Sequence, residues 1–514
     1  MGGEAVGPSL GSGPGPAGDP RARGRGRAEG EDREGGGVRR AAALAALALA
    51  AGAPGACRER RAAAPTPRPS AASGNRHNVL LVTIDTLRAD HLGVYGYKRP
   101  TSPKIDALAR SGTVFERAYT FWPKTRGSMA IMLTGRRPSR NGYSKTHPVL
   151  LDFNPTLASV LKDAGYSTSA IVDNPNVAAQ NGYAKGFDSY RETWEEAELA
   201  SEADRMRAIT DGAVAFLRAA VPDRPFLLWL HYVNPHAPYT PPPPFDTAFL
   251  DAAAGAGPRL RVVPDFHGGI PKRWAVRGRD RLGYYVAQYD GEIGAVDQEV
   301  GRVVDALRSS AVAKKTVMVL TSDHGESLGE HDYYFDHGED LFEPGLSVPL
   351  VVSAPGGKAE VRSRVFASTL DVFPTILDAV KVSYPPELAG ISLLGEVVGR
   401  TAPGRERLFA QNDRNLVATW DQRFKLVGTP EGERMRYALY DRASDPGEAR
   451  DVSPARPDDL RVQRQELELF VGAGEREWAQ TRREIGAGPA EARLSAEACQ
   501  KLKSLGYAGA GCAP

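Results

Sequence analysis

Two short apolar stretches, each ending in metal-binding side chains, decide the expected fold. Residues 78–84 (NVLLVTI) are followed by Asp85, and residues 317–322 (VMVLTS) are followed by Asp323 and His324. Both stretches have the length and the Val and Leu content of buried strands. In an open α/β sheet, ligands collect beyond the carboxyl ends of the strands. The sequence therefore predicts that these two strand ends meet and hold a divalent cation.

Strand-like and helix-like stretches alternate along the chain. The patterns predict helices over residues 102–112, 156–164 and 293–307, and strands over residues 167–172 and 226–230. From about residue 406 the pattern changes to short strands and turns. We therefore expect an α/β fold with a mixed, mostly parallel central sheet flanked by helices, followed by a smaller C-terminal antiparallel sheet.

Length and charge exclude one class of partner. The 514 residues carry 65 Lys and Arg against 63 Asp and Glu, which gives a net charge of +2. This balance provides no electrostatic basis for binding nucleic acid, and no nucleic-acid-binding motif is present. The length exceeds what one core usually supports, which predicts a large domain and a smaller one.

The N-terminal region is expected to direct export. Residues 1–37 are rich in Gly, Pro, Arg and Glu, so we expect a disordered extension. Residues 41–53 contain only Ala, Leu and Gly, a length that suits the core of a secretory signal better than a spanning helix. Residues 38–57 are therefore predicted to be a signal peptide, and residues 58–77 a linker. A signal that lies behind residue 37 suggests that translation starts at Val38.

The cysteines add one open question. Residues 54–57 (PGAC) are similar to a degenerate lipobox. Two interpretations stay open: a lipid anchor at Cys57, or a plain signal peptide that leaves this cysteine unmodified. Both predict an exported protein in the periplasm or cell envelope. Cys499 and Cys512 could close a small loop near the end of the sequence.

The segment between the two strand ends carries a recognisable signature. Residues 122–135 read WPKTRGSMAIMLTG. They resemble the signature of the sulfatase branch of the alkaline-phosphatase superfamily, which runs Cys/Ser-x-Pro-Ser-Arg, two variable residues, Leu, one variable residue and Thr-Gly. In this alignment the nucleophile position falls on Thr125 and the signature serine on Ser128.

Further landmarks follow in the order of that family. His236 is similar to its substrate-facing histidine, residues 323–326 (DHGE) to its second metal-binding strand end, and His337 to another conserved site position. Residues 439–448 (LYDRASDPGE) and 502–507 (LKSLGY) resemble its C-terminal signatures. The resemblance covers residues 78–510 and implies an alkaline-phosphatase-like fold. It implies a catalytic domain over residues 78–400 and a C-terminal subdomain and tail over residues 401–514.

The resemblance and the strand ends together assign site residues. The candidates are the metal ligands Asp85, Thr125, Asp323 and His324, the catalytic residues Thr125, His236 and His337, and the substrate-binding cations Lys124 and Arg126. Oxygen and nitrogen ligands in this combination suit one hard or borderline cation. A helix that begins next to Thr125 would direct backbone N–H groups at a bound tetrahedral anion.

Each assignment has an ordinary alternative. Thr125 could be a simple helix N-cap, His236 a histidine ordered in a Pro-rich turn, and Lys124 and Arg126 solvated loop charges. We expect two other histidines, His231 and His331, to be structural or to support the site residues from just outside the ligand set.

Departures from the family pattern change the expected chemistry. They are Thr125 for Cys or Ser, Gly127 for Pro, Met129 for Arg, Thr86 for a second Asp, Asp173 and Pro175 for a Lys-x-His pair, and Gly338 for Lys. Threonine cannot be oxidised to the formylglycine aldehyde, so no formylglycine is expected. The chain resembles the one-metal phosphoester branches of the superfamily. We therefore favour one divalent ion; Mn or Zn suits a site with histidine, whereas Ca suits an all-oxygen site better.

The predicted function is metal-dependent hydrolysis of a small-molecule, glycan or lipid ester. Phosphoesters or phosphonates are favoured over sulfate esters because of the threonine. The alternatives are an ordinary sulfuric ester hydrolase, a phosphotransferase to a lipid or glycan hydroxyl, and an inactive sulfatase-like binding protein. A pure binding module would not need the complete ligand set, and such phosphotransferases usually carry several spanning helices, which are not predicted after Cys57.

Overall fold

The computed structural model describes residues 76–401, 404–485, 493–507 and 512. The predictions for residues 1–75, which include the signal peptide, the lipid anchor at Cys57 and most of the linker, lie outside these ranges. None of the helices described combines the length and the apolar character that crossing a membrane requires.

The strands run through the chain from Asn78 to Asp441. They are β1 (Asn78–Ile84), β2 (Thr113–Tyr119), β3 (Ser167–Val172), β4 (Ser189–Glu192), β5 (Phe226–Tyr232), β6 (Arg261–Val263), β7 (Gly269–Pro271), β8 (Thr316–Ser322), β9 (Ser327–Leu328), β10 (Tyr334–Asp336), β11 (Leu350–Ser353), β12 (Val361–Ser368), β13 (Leu408–Gln411), β14 (Val417–Trp420), β15 (Phe424–Glu431) and β16 (Arg434–Asp441).

Helices fill most of the connections. They are α1 (Pro103–Ala109), α2 (Thr125–Thr134), α3 (Pro138–Asn141), α4 (Leu157–Asp163), α5 (Glu202–Ala219), α6 (Phe245–Ala248), α7 (Leu282–Arg308), α8 (Glu343–Leu346), α9 (Val372–Ala379), α10 (Leu394–Val397), α11 (Pro457–Ile485) and α12 (Ala496–Ser504). The helix predicted over residues 293–307 begins earlier, at Leu282, because Tyr285 and Tyr289 continue its buried face.

The central sheet brings β1, β5 and β8 together. Its strand order is β12-β2-β11-β8-β1-β5-β3-β4. Neighbouring strands are parallel except at β11, which runs antiparallel to β2 and β8. Ile84 of β1 pairs with Ser322 of β8, so Asp85 and Asp323 leave the sheet side by side. The predicted mixed, mostly parallel sheet and the predicted meeting of the two strand ends are confirmed.

Helices cover both faces of this sheet because its inner strands alternate between two cores. Val79 and Leu81 pack into a core that also contains Met129 of α2. Leu80 and Val82 belong to the opposite core, together with residues of α1, α5 and α7. A continuous apolar run is typical of a parallel strand that is buried on both faces. The two cores therefore hold the inner strands from both sides and fix where their carboxyl ends lie.

The C-terminal segment forms a second, antiparallel sheet, as predicted. Its strand order is β13-β14-β15-β16. Lys425 of β15 is buried, and its Nζ lies 2.9 Å from Oε1 of Glu448, the last residue of the Asp-Pro-Gly-Glu sequence. Loss of one partner of such a pair would leave an uncompensated buried charge. This part of the C-terminal signature therefore has a structural role.

After α11, the chain returns to the central sheet. Lys501 of α12 places its Nζ 2.7 Å from Glu202 Oε1 of α5 and 3.8 Å from Asp173 Oδ2. Cys499 and Cys512 form a disulfide, as their spacing allowed. These contacts hold Tyr507, which lies between the two cysteines in the sequence, next to the end of β1.

Candidate active site

The four predicted metal ligands lie together at the carboxyl ends of β1 and β8. Nε2 of His324 lies 3.7 Å from Asp85 Oδ1 and 3.4 Å from Asp323 Oδ2. The Thr125 Oγ1 atom approaches the same nitrogen at 3.3 Å. All four side chains are buried. The structure thus assembles the predicted set, and the role of these residues as ligands stays a prediction.

The hydrogen bonding of this cluster fits a cation. Asp85 Oδ1 and Asp323 Oδ2 are buried and have no hydrogen-bond partner. Burial raises the pKa of Asp85 well above its usual value, and the nearby charge of Asp323 adds to this effect. A buried pair of carboxylates is unfavourable unless a positive charge compensates it. Two of the predicted metal ligands therefore carry buried oxygen atoms that have no hydrogen-bond partner within the described ranges.

Thr125 stands at the first position of α2. Lys124 precedes it in an extended conformation, with φ −149° and ψ 141°. The positive end of the helix dipole therefore faces the site, which favours a bound anion. Ser128, one turn later, donates a hydrogen bond from Oγ to the Asp323 carbonyl at 2.7 Å. This bond ties α2 to the end of β8.

Two departures in α2 have a packing explanation. A Cβ atom at Gly127 would lie 2.3 Å from Trp122 Cδ1, so the indole occupies the space that a proline ring would need. Met129, at the signature arginine position, is fully buried in the apolar core. Both substitutions therefore keep the helix, and the second replaces a charged group by apolar packing.

His236 and His337 share a hydrogen-bond partner, the hydroxyl of Tyr507. The hydroxyl oxygen of Tyr507 lies 3.1 Å from His236 Nε2 and 3.0 Å from His337 Nε2. His236 Nδ1 lies 2.6 Å from the Ala237 carbonyl, which can only accept, so this nitrogen carries a hydrogen. Burial lowers the pKa of His236 to about 4. Near neutral pH its Nε2 is therefore free to accept a proton.

His337 is also fixed on its second nitrogen. Its Nδ1 lies 3.2 Å from Glu326 Oε1, and Tyr239 donates a hydrogen bond to the other oxygen of the same carboxyl group. Burial lowers the pKa of His337 well below its usual value, and His324 and His236 add to the effect. Glu326 was noted only as part of the family sequence, and here it orients a predicted catalytic residue.

Lys124 occupies the space next to His337. A Cβ atom at Gly338 would lie 2.4 Å from Lys124 Cγ, so the stem of this lysine covers the position where the family pattern has its own. Nζ of Lys124 lies 3.4 Å from Asp413 Oδ2. The lysine missing at residue 338 is thus replaced in space by a lysine from the segment before α2.

A cavity of about 440 Å³ opens onto Thr125, the predicted nucleophile. Its walls include Lys124, Thr125, Arg126, Lys145, His337 and Tyr507. Arg126 Nε donates to Asn176 Oδ1 at 2.9 Å, and its Nη2 is buried without a partner. Both predicted substrate-binding cations therefore border the space in front of Thr125. The cavity has room for a phosphate or sulfate group and part of its alcohol.

Sequence reasoning missed three residues of this site. Asn174, at the position between the replaced Lys and His, donates a hydrogen bond to Asp85 Oδ2. His231, expected to be structural or to support the site from outside the ligand set, has its Nε2 3.8 Å from the same oxygen. Tyr507 was seen only as part of the LKSLGY signature. That signature was the available signal, but no local pattern indicates that it reaches Thr125 and His236.

Comparison with known proteins agrees with this geometry. The sulfatase family model matches residues 77–382. The chain belongs to the sulfatase family. An arylsulfatase of Clostridium perfringens is 25% identical over 436 residues, which cover 70% of this chain and 88% of that protein. The human N-sulphoglucosamine sulphohydrolase is 28% identical over 316 residues, which cover 57% of this chain and 59% of that enzyme.

Solved structures share the fold of this sulfatase-family protein. A phosphonate monoester hydrolase of Agrobacterium radiobacter superposes with a TM-score of 0.65 at 21% identity, over 78% of this chain and 96% of that one. A 2-O GAG sulfatase superposes with a TM-score of 0.64 at 22% identity, over 79% and 94%. These structures confirm the alkaline-phosphatase-like fold, and the match to the sulfatase family indicates hydrolysis of an ester bond.

Loss of the Tyr507 hydroxyl should impair this sulfatase-family protein without unfolding it. Burial raises the pKa of Tyr507 well above its usual value, Asp85 adds to this effect, and a hydrogen bond with Thr125 opposes it. Tyr507→Phe keeps the ring but removes the link among Thr125, His236 and His337. We expect kcat/KM to fall about 10²-fold, as for the loss of an acid–base group. Tyr437→Phe in the C-terminal sheet is the matched control, and unchanged kinetics in Tyr507→Phe would contradict the assignment.

Glu292, which binds the loop that carries His236, should make the free energy of unfolding depend on pH. Glu292 of α7 accepts hydrogen bonds from Asn234 Nδ2 and from the Thr240 N–H, both at 2.7 Å. Burial raises the pKa of Glu292 to about 8, and the charge of Glu202 adds to this effect. The folded state binds the Glu292 proton more tightly than the unfolded state does. The contribution of Glu292 to the free energy of unfolding is therefore complete below pH 4.5 and is lost as the pH rises through about 8.

Urea unfolding from pH 5 to pH 9 measures this contribution. Across this range the free energy of unfolding of the parent should fall by on the order of 3 kcal/mol more than that of Glu292→Gln, because glutamine does not titrate. Parallel pH profiles for the two proteins would show that Glu292 does not titrate in this window.

Proposed function

We propose that this protein is an exported, metal-dependent ester hydrolase that uses Thr125 as its nucleophile and prefers phosphate or phosphonate esters to sulfate esters. The observation that carries the proposal is the position of Thr125 Oγ1, 3.3 Å from His324 Nε2 at the N-terminus of α2. A hydroxyl group at the mouth of an acidic, histidine-containing cluster has the surroundings of an activated nucleophile.

The side chains around Thr125 suggest how its hydroxyl proton leaves. Thr125 and Tyr507 both line the cavity, the Thr125 side chain lowers the pKa of the Tyr507 hydroxyl, and that hydroxyl lies 3.1 Å from His236 Nε2. As Thr125 Oγ forms the bond to phosphorus, its proton passes to Tyr507 Oη, and the Tyr507 proton passes to His236 Nε2. The bond between phosphorus and the leaving oxygen breaks in the same step, and the leaving oxygen takes up a proton from water and departs as the alcohol. Lys124 and Arg126 neutralise charge on the non-bridging oxygens.

The metal ligands have a separate task. Asp85, Asp323, His324 and Thr125 would hold a divalent ion, which lowers the pKa of a bound hydroxyl group and neutralises a non-bridging oxygen of the substrate. Asn174 and Ser128 keep Asp85 and the end of β8 in place through their hydrogen bonds. Water then hydrolyses the phosphothreonine ester and regenerates the threonine.

Threonine also favours one substrate class. A phosphate ester of threonine can be released by attack of water at phosphorus. The sulfate ester of an ordinary alcohol lacks the second hydroxyl of hydrated formylglycine, which lets sulfatases expel sulfate by elimination. A phosphonate monoester hydrolase among the structural neighbours is compatible with this preference, and glycan sulfatases among the relatives suggest a glycan as the alcohol.

A substrate panel tests the proposal. Residues 58–514 would be purified, their bound metal measured, and rates compared for aryl phosphomonoesters, phosphodiesters, phosphonates and sulfates. We expect at least one phosphorus ester to exceed the sulfate ester in kcat/KM. A sulfate ester that outperforms every phosphorus ester would overturn the substrate assignment but leave the ester hydrolase assignment intact.

Export is the remaining part of the proposal. Residues 41–53 have the length and composition of a signal-peptide core. We propose cleavage after Ala56, with a lipid on Cys57 as one form of the exported protein. Mass spectrometry of the exported protein tests this, because an intact residue 1 on that protein would rule the signal out.

A further inference from the structure

We infer that His231 is a further metal ligand, supplied by β5 in place of the second aspartate that the family pattern would have at Thr86. This inference rests on the proposed metal-dependent function. It concerns a residue that the family signature does not include.

Sheet pairing brings His231 to the cluster. β5 lies next to β1, and His231 pairs with Thr83, two residues before Asp85. Nε2 of His231 is 3.8 Å from Asp85 Oδ2, and both side chains are fully buried. One ligand atom each from Asp85, His231 and Asp323 lie within 4.8 Å of one another. Two ligands at about 2.1 Å from a tetrahedral ion are about 3.4 Å apart, so small movements would bring these atoms to one ion.

The contacts of Thr83 indicate which nitrogen of His231 is free. Thr83 Oγ1 lies 2.8 Å from His231 Nδ1, 2.9 Å from Trp229 Nε1 and 3.2 Å from the Leu230 carbonyl. An indole nitrogen only donates and a carbonyl only accepts. All three contacts are hydrogen bonds when the hydroxyl donates to Leu230 and accepts from Trp229 and His231. Nδ1 then carries the hydrogen, and Nε2 presents a lone pair to Asp85.

The lone pair of His231 Nε2 lies near other hydrogen-bond acceptors and has no donor as a partner among the described residues. In the part of the chain that the structure describes, His231 Nε2, Asp85 Oδ1 and Asp323 Oδ2 are all buried and have no hydrogen-bond partner. Buried polar atoms are nearly always paired, because an unpaired one retains its full desolvation penalty. Three converging acceptors cannot satisfy one another, whereas a single cation satisfies all three.

The side-chain hydroxyl of Thr83 gives the imidazole of His231 the support that metal-bound histidines usually have. Such a histidine almost always donates its other ring N–H to an oxygen, which fixes the ring and its tautomer. Thr83 Oγ1 is in that position. With His324, the site would have two imidazole nitrogens beside two carboxylates, which favours Zn or Mn over Ca.

Counting the imidazole ligands tests the inference without measuring activity. The full-length exported protein would be stripped with a chelator and reloaded with one equivalent of Cu²⁺. The modulation of its pulsed EPR signal by the remote ring nitrogens then gives the number of coordinated histidines. We expect two in the parent and one in His231→Leu and in His231→Asn. His91→Gln, which changes a buried histidine bonded to Asp290, should keep two.

Affinity provides a second measurement. Competition with a chromophoric chelator for Zn²⁺ should show at least 10-fold weaker binding in both His231 variants, and a smaller loss in Thr83→Val, which keeps the imidazole but removes the hydroxyl that bonds its Nδ1. A parent that binds one equivalent of metal through one imidazole overturns the role of His231 and leaves the proposed function intact. An unchanged imidazole count in a folded His231 variant overturns it as well, whatever its affinity. A parent that binds no metal refutes the proposed function itself.

Discussion

Thr125→Ala should reduce turnover by at least about 10³-fold while substrate binding persists, in line with the loss of other catalytic nucleophiles. The variant removes Oγ1 but leaves the ligand cluster, Arg126 and the N-terminus of α2 to hold the anion. Steady-state kinetics and binding of a slow substrate analogue measure the two effects separately. Rapid quenching of the parent should also trap phosphate on Thr125.

Two further variants sharpen this test. Thr125→Ser keeps the hydroxyl group and should retain part of the activity. Thr134→Ala, at the other end of α2, removes a buried hydroxyl that donates to the Ala130 carbonyl and accepts from the Arg136 N–H, and it should turn over like the parent. An alanine variant at residue 125 as active as the parent, or a parent without trapped phosphothreonine, would exclude Thr125 as the nucleophile.

Asp323→Ala should remove bound metal and abolish activity. Asp323 Oδ1 accepts hydrogen bonds from the backbone N–H groups of Thr86 at 3.3 Å and His324 at 2.9 Å, which leaves Oδ2 for a cation. Loss of a carboxylate from a four-ligand site should lower metal occupancy below one tenth of an equivalent after dialysis, as judged from the strength of charged ligands. Elemental analysis and turnover are the two measurements.

A neighbouring carboxylate provides the control for that variant. Asp336→Asn lies next to His337 but is not among the predicted ligands, so its metal content should match the parent. Full metal occupancy together with normal turnover in Asp323→Ala would show that the cluster at the ends of β1 and β8 is not the metal site.

Strand ends and signature spacing were enough to predict the centre of this site. Residues 78–84 are apolar without interruption, which is how a strand buried on both faces looks in sequence, and the register of β1 with β8 then places Asp85 beside Asp323. The position of Thr125 followed from its distance to the Thr-Gly pair of the signature. Local patterns therefore sufficed wherever one strand or one helix carried the residue.

Residues that act through long-range contacts could not be predicted in this way. His231 belongs to an apolar strand, and only the pairing of β5 with β1 turns its ring towards Asp85. The replacement of the missing lysine by Lys124 depends on the absence of a side chain at Gly338, because the stem of Lys124 occupies that space. These arrangements depend on tertiary packing, which sequence periodicity does not encode.

The return of the C-terminal segment has a consequence for biosynthesis. Tyr507 is synthesised long after the ligands Asp85 and Asp323, and α12 docks on residues of α5 and on Asp173 that are made early. A nascent chain can therefore form its central sheet and its ligand cluster while Tyr507 is still missing. Premature termination within α11 would then release a protein that binds metal but lacks the hydroxyl linking its nucleophile to the two histidines.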